Sequence, residues 1–324
     1  MNTQDNRTTR LLTAGPAGIA EAAAILRAGG LVAFPTETVY GLGALAADPR
    51  AVAGIYRAKG RPSFNPLIAH MADLDAARSE GRFDSRAEKL AAAFWPGPLT
   101  LVLPVADTAS VCDLARSGLD SVALRIPANA LARTLVAAAK GPVAAPSANR
   151  SGHVSPATVA HVLADLGGRI DAVLNGGSCP VGVESTIVSL LDETPRLLRP
   201  GGVPRAEIER VLGQSLQLTT SDEVLAPGQL ASHYAPRAGL RLDAGALGEG
   251  EADLDFGGRF AGESGKVLDL SPHGDLAEAA ANLFSMLRAL DASGARAIAV
   301  APIPQEDLGE AINDRLRRAA APRG

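Results

Sequence analysis

Lysine is nearly missing from this 324-residue chain: four lysines stand against 27 arginines, and 35 acidic residues leave a net charge of −4. That balance removes any general electrostatic reason to bind nucleic acid, so such a contact would need a local basic patch. Aromatic residues are only 3% of a chain that is 47% hydrophobic, so alanine, leucine and valine must fill the core. Cysteine occurs twice, at Cys112 and Cys179, with no CxxC or Cys/His spacing. This excludes a disulfide framework and a zinc site, and each reads as a small buried hydrophobe. No apolar run approaches the roughly 18 residues that span a bilayer. The first ten residues are polar and lack a signal-peptide core; they read as a short disordered tail, and the protein as cytoplasmic.

What is present is an alternation of helix and strand signals in a chain long enough for two domains. Helices are expected over residues 16–28, 49–59, 85–94, 129–139, 155–166 and 204–212. Asp48 before Pro49 is a cap followed by a first-turn proline, Ser85 with Glu88 makes a capping box, and Ser155-Pro156 repeats the cap-plus-proline start. Short apolar strands are expected at 31–34, 67–70, 99–103, 122–126, 143–145, 172–174, 186–190 and 196–198. From 213 to about 236 the periodicity is lost, as in a linker. Beyond it a smaller α/β alternation restarts, with strands near 240–242, 267–270 and 297–301 and helices over 275–290 and 305–319.

The most informative stretch is Lys59-Gly60-Arg61-Pro62-Ser63-Phe64-Asn65-Pro66-Leu67, where one of the four lysines adjoins an arginine in a bent loop before a strand. A compact charge, a planar fork and approachable backbone N–H groups suit a polyphosphate; a solvated basic turn is the bland alternative. Gly41-Leu42-Gly43-Ala44-Leu45-Ala46 matches a dinucleotide pattern on paper only. No helix starts inside it, and the position about twenty residues on carries Lys59 and Arg61 rather than an acid. No Walker A motif or GxSxG elbow occurs. Polar residues gather where strands end: Thr36-Glu37-Thr38-Val39-Tyr40, Pro146-Ser147-Ala148-Asn149, Val183-Glu184-Ser185-Thr186 and Leu198-Arg199-Pro200. Each could be an inert turn, yet open α/β sheets bind ligands outside such ends. His70 and His233 remain candidates for ligand or acid–base work; His153, His161 and His273 read as surface or capping residues.

In order, the blocks PTETVYG, KGRPSFNPL, WPGPLT, SVALRIP, APSAN, GVESTI and LLRPG resemble the threonylcarbamoyl-AMP synthase family, built on the YrdC-like domain. The likeness covers about residues 29–212. Ala226-Pro227-Gly228 with Ser232-His233-Tyr234-Ala235-Pro236, then Gly309-Glu310-Ala311-Ile312-Asn313-Asp314-Arg315-Leu316, resembles the linker and extra domain of the family's long form.

The resemblance implies an α/β fold: a YrdC-like open, curved sheet with helices around a deep cavity, plus a smaller C-terminal Rossmann-like α/β domain. The implied division is residues 1–212 catalytic, 213–237 linker and active-site lid, and 238–324 accessory. It implies condensation of L-threonine, bicarbonate and ATP, accompanied by Mg²⁺, into threonylcarbamoyl-AMP and pyrophosphate. Downstream proteins then transfer the group to tRNA, with at most a weak or transient tRNA contact by this chain and no membrane association. Carried over residue by residue, Lys59, Arg61 and Asn65 match the phosphate-binding motif, with Lys59 and Arg61 as catalytic cations. Ser121, Ala145, Ser147, Ser155, Arg199 and Tyr234 match other ATP-contacting positions, and Thr36, His70, Arg125 and Ser185 the threonine-binding ones. Ser121 stands where relatives often have threonine, which keeps the hydroxyl.

Two rival functions fit the sequence less well. A hydrogenase-maturation carbamoyltransferase would carry an acylphosphatase-like segment and cysteine-rich zinc fingers, and this chain has neither. An RNA-binding translation factor fits poorly with acidic net charge and scarce aromatics. The C-terminal domain shows no catalytic constellation of its own, so a structural or regulatory role is expected of it.

Overall fold

A computed structural model describes residues 8–218, 233–261 and 266–322. Among them, eleven strands form one mixed sheet: β1 (Arg10–Thr13), β2 (Val32–Pro35), β3 (Tyr40–Leu45), β4 (Ile68–His70), β5 (Leu99–Pro104), β6 (Ser121–Arg125), β7 (Val143–Ala144), β8 (Ala172–Asn175), β9 (Thr186–Ser189), β10 (Arg196–Arg199) and β11 (Gln217–Leu218). Their order is β1-β8-β2-β3-β7-β4-β6-β5-β9-β10-β11, so the sheet is open, with β1 and β11 at its edges. Its helices are α1 (Pro16–Arg27), α2 (Pro49–Lys59), α3 (Leu74–Glu80), α4 (Ser85–Phe94), α5 (Asp113–Arg116), α6 (Ala130–Ala139), α7 (Val159–Leu166) and α8 (Arg205–Leu212).

Local chemistry fixes the boundaries that matter most. Asp48 accepts hydrogen bonds from the backbone N–H of Arg50 and Ala51, Pro49 opens α2, and Gly60 closes it at φ 62°. The chain therefore leaves α2 sharply after Lys59 and enters the 61–66 loop. Two expected caps move. Asp84, not Ser85, caps α4, because a carboxylate one residue earlier accepts from the N–H of both Arg86 and Ala87. Thr158, not Ser155, caps α7; the Ser155 hydroxyl is instead buried on Glu184.

The glycine-rich 41–46 segment is neither turn nor nucleotide loop; all but its last residue lie in the interior strand β3. A Cβ on Gly43 would lie 2.7 Å from the Phe34 ring and 3.0 Å from Val143, so glycine is there for close packing. β1 begins inside the expected tail, where Arg10 pairs with Ala172. Residues 1–7 of that tail lie outside the described residues, as do 219–232 of the expected lid.

The second unit holds β12 (Gly239–Arg241), β13 (Glu251–Asp255), β14 (Val267–Asp269), α9 (Leu276–Asp291), β15 (Ala297–Val300) and α10 (Leu308–Ala320). All its strand pairs are parallel. Their order, β12-β15-β13-β14, is not the 3-2-1-4 sequence of the dinucleotide fold. Its apolar core, built on Leu283, Phe284 and Leu287 of α9, runs on into Val39, Val154 and Val183 of the first unit and into Tyr234 between them.

Candidate active site

The large sheet brings several chain ends to one place. Parallel β4 and β6 finish in register at His70 and Arg125. β2 runs out just before Thr36, β10 ends at Arg199, and Ala145 and Ser185 flank β7 and β9. These residues, with Arg61, Ser147, Glu184, His233 and Tyr234, line a cavity of about 520 Å³ of empty space, part of it open to solvent.

Three arginines reach this cavity. Arg125 meets Glu37 at 2.6 Å and donates to Gly97 O at 3.3 Å. Burial raises the Glu37 pKa, but the charge and hydrogen bond of Arg125 outweigh it and hold the carboxyl below its ordinary value. Arg199 donates twice to Ser185 O, at 2.8 and 3.2 Å, while the Ser185 hydroxyl pairs with Thr100 Oγ1 at 2.8 Å. Arg61 donates to the carbonyls of Asn65 and Pro66. Burial lowers its pKa to about 10.

Lys59 is 3% exposed at the end of α2, and its Nζ donates to the carbonyls of Ser147 and Asn149. Burial, then the charge of Arg61, pulls its pKa well down. It thus ties the 147–149 loop to the end of α2 rather than lining the cavity. Arg61 Nε, Asn65 Oδ1, His70 Nδ1 and His233 Nδ1 are buried with no hydrogen-bond partner among the described residues. Leaving buried polar atoms unpaired costs free energy, and three of these four, on Arg61, His70 and His233, belong to residues that line the cavity. Burial drives both His70 and His233 to a pKa of about 3, so each is neutral near pH 7.

Thr36 is buried, its hydroxyl donating to Val39 O at 2.7 Å. The fully buried Ser155 donates to Glu184 at 2.6 Å, so it reaches the cavity wall through that carboxylate. Ser121 opens β6 while Arg125 closes it, which separates them by about 13 Å at ordinary strand rise. A nucleotide would have to extend toward the start of β6 for Ser121 to reach it. Tyr234 sits at φ 62°, stacked on Phe284 at 5.6 Å, with its chain held by the bond from Ala235 N to Gly152 O.

Sequence reasoning assigned no role to Glu37, Glu184 or Arg315. Both acids lie inside motifs singled out for their strand ends, but a carboxylate beside an anion site reads as repulsion until its arginine is known. Arg315 reaches Glu184 across 131 residues. Among the described residues no three His, Cys, Asp or Glu side chains are grouped to hold a metal, and no helix is long and apolar enough to cross a membrane.

Residues 24–201 match the family described as telomere recombination (Sua5–YciO–YrdC), and residues 203–321 match the threonylcarbamoyl-AMP synthase C-terminal domain. The threonylcarbamoyl-AMP synthase of Pyrococcus abyssi is 40% identical over 92% of this chain and 93% of its own. That of Bacillus subtilis is also 40% identical, over 94% of this chain and 93% of its own. The crystal structure of P. abyssi Sua5 complexed with L-threonine matches with a TM-score of 0.89 at 38% identity, covering 96% of this chain and 98% of that one.

Proposed function

The chain belongs to the threonylcarbamoyl-AMP synthase family and is an enzyme of nucleotidyltransferase type, and we propose that the cavity at its strand ends is where L-threonine, bicarbonate and ATP are joined. The observation that carries this reading is the convergence of Arg61, Arg125 and Arg199 on one cavity. Three reactants that each bear an anionic group must be crowded together there, and fixed guanidinium groups supply the counter-charge.

The threonine end lies at Arg125, with the Thr36 and Ser185 hydroxyls and the neutral His70 around it. Glu37 holds one edge of the Arg125 guanidinium, leaving its remaining N–H groups to a substrate carboxylate. The nucleotide end lies at Arg61, Asn65, Ser147 and Arg199, with Lys59 bracing the loop and Tyr234 closing the cavity. ATP arrives as its Mg²⁺ complex. The ion would be carried chiefly by the phosphates and water, since Mg²⁺ at such sites needs no all-protein cage.

The threonine amine, as the free base, adds to CO₂ and gives up a proton to water, or adds to bicarbonate and expels water; either route yields a carbamate, whose oxygen attacks the α-phosphorus of ATP. A P–O bond forms to the carbamate, the bond to pyrophosphate breaks, and pyrophosphate leaves with the electron pair. The attacking oxygen is already ionised, so no strong general base is needed. Arg61 and Arg199 meet the charge that builds on the departing phosphates. The product is labile, which favours a covered cavity. Residues 213–237 are assigned as linker and lid with Tyr234 as latch, between a catalytic unit of 1–212 and an accessory unit of 238–324. Proteins that transfer the threonylcarbamoyl group to tRNA take the product onward, in the cytoplasm where ATP and tRNA meet.

The test is pyrophosphate release with ATP, Mg²⁺ and bicarbonate, with and without L-threonine, in the intact protein and in Lys59→Ala. Threonine-dependent release that the substitution abolishes is expected. Release indifferent to threonine would reopen the choice of acceptor, and no release would defeat the reading.

A further inference from the structure

The second unit sends one charged side chain into the first. Arg315 lies on α10 and is fully buried. Its Nε meets Glu184 Oε2 at 2.8 Å, and one terminal nitrogen donates to Pro200 O at 2.9 Å. The other pairs with Asp314 at 2.7 Å, which Arg318 also holds. The guanidinium carbon stands 5.3 Å from the centre of the Tyr234 ring. Glu184 and Tyr234 both line the substrate cavity.

Glu184 is thus a buried carboxylate on the wall of a space meant for anions. Its two oxygens are divided: Ser155 donates to Oε1 at 2.6 Å, and Arg315 takes Oε2. An unpaired charge here would act twice. It would repel the nucleotide phosphates, and it would draw Arg199, the next cation along the wall, away from them.

We propose that Arg315 is a positioning residue of the active site: by neutralising Glu184 it keeps that carboxylate from competing with substrate for the cations of the cavity. The second unit is then more than a spacer or partner surface, because it completes the charge balance of a site built on the other unit. The electrostatics agree in direction. Burial raises the Glu184 pKa, but Arg315 and then Arg199 overcome it and bring it to about 2, so the group is charged whenever the enzyme works.

The proposal rests on the synthase reading above, and the experiment separates the two. Threonine-dependent pyrophosphate release by the unaltered full-length chain decides the reading. Arg315→Met and the double variant Glu184→Gln/Arg315→Met decide the role of Arg315, each with KM for ATP, kcat and thermal melting measured. The single variant strands a buried carboxylate, and its KM for ATP is expected to rise about tenfold or more. The double variant carries neither charge, and its KM for ATP is expected to return to within about threefold of the unaltered protein. A simple clamp between units would give the reverse order, with the double variant as impaired as the single one or worse, and that result overturns the proposal. Should Arg315→Met fail to fold, the double variant alone decides: a near-normal KM supports the role, and a tenfold rise removes it.

Discussion

His70 and Arg125 face each other in register at the ends of two parallel strands, a neutral imidazole beside a guanidinium. The pairing explains itself electrostatically: burial and the adjacent positive charge both disfavour the imidazolium. One uncharged acceptor and one fixed cation, side by side, can distinguish the polar ends of an amino acid.

The orientation of that cation depends on Glu37. Replacing Glu37 by Gln keeps the shape but removes the charge at 2.6 Å. The expected outcome is a higher KM for threonine with little change for ATP. A stability loss of about 3 kcal/mol should accompany it, because a buried cation loses its partner. Steady-state kinetics and urea unfolding check both, and equal effects on the two substrates would contradict the assignment.

Tyr234 offers a split between ring and hydroxyl. Its contacts with Phe284 and Arg315 are made by the ring. Tyr234→Phe should therefore stay near normal, whereas Tyr234→Ala should raise the KM for ATP or the loss of free product to hydrolysis. Unchanged values for the alanine variant would sink the latch.

Acid should weaken the fold in two stages. His70 and His233 have depressed pKa values near 3, so the unfolded chain takes up their protons first and stability falls as pH drops from about 6.5. Glu184 is depressed from 4.5 to about 2, so its contribution is present above pH 4.5 and disappears as pH falls through that window. Thermal melting against pH should show a shallower upper stage in His70→Gln and a shallower lower stage in Glu184→Gln.

Gly43 is a packing residue without a catalytic part. Gly43→Ala would drive a methyl into the Phe34 ring, costing about 1–3 kcal/mol. Denaturant unfolding should show the loss while the KM values stay put.

Much of this architecture was legible in the sequence where local chemistry announces itself. Asp48-Pro49 and Gly60 mark the ends of α2 without reference to anything distant. β3 was hidden because glycines that serve close packing look like glycines that serve a loop. β13 was hidden because Asp253 and Asp255 are buried in a strand, against every compositional expectation for acids. In the site, the loop cations and strand-end hydroxyls stood out as residue types suited to anions. Glu37, Glu184 and Arg315 did not, since the ion pairs that place them in the site, Glu37–Arg125 and Glu184–Arg315, join residues at least 88 apart in the chain.

The shared apolar core has an energetic consequence that the chain's apparent division conceals. Val39, Val154 and Val183 sit in loops of the first unit yet pack into the core of the second. Opening the smaller unit alone would expose those faces to water and strand Glu184, so partial melting gains little entropy for its cost. Calorimetry on the intact chain should accordingly trace one cooperative endotherm, with matching calorimetric and van't Hoff enthalpies. The break that the sequence shows near residue 213 separates two patterns, and the unfolding transition is expected to run across it.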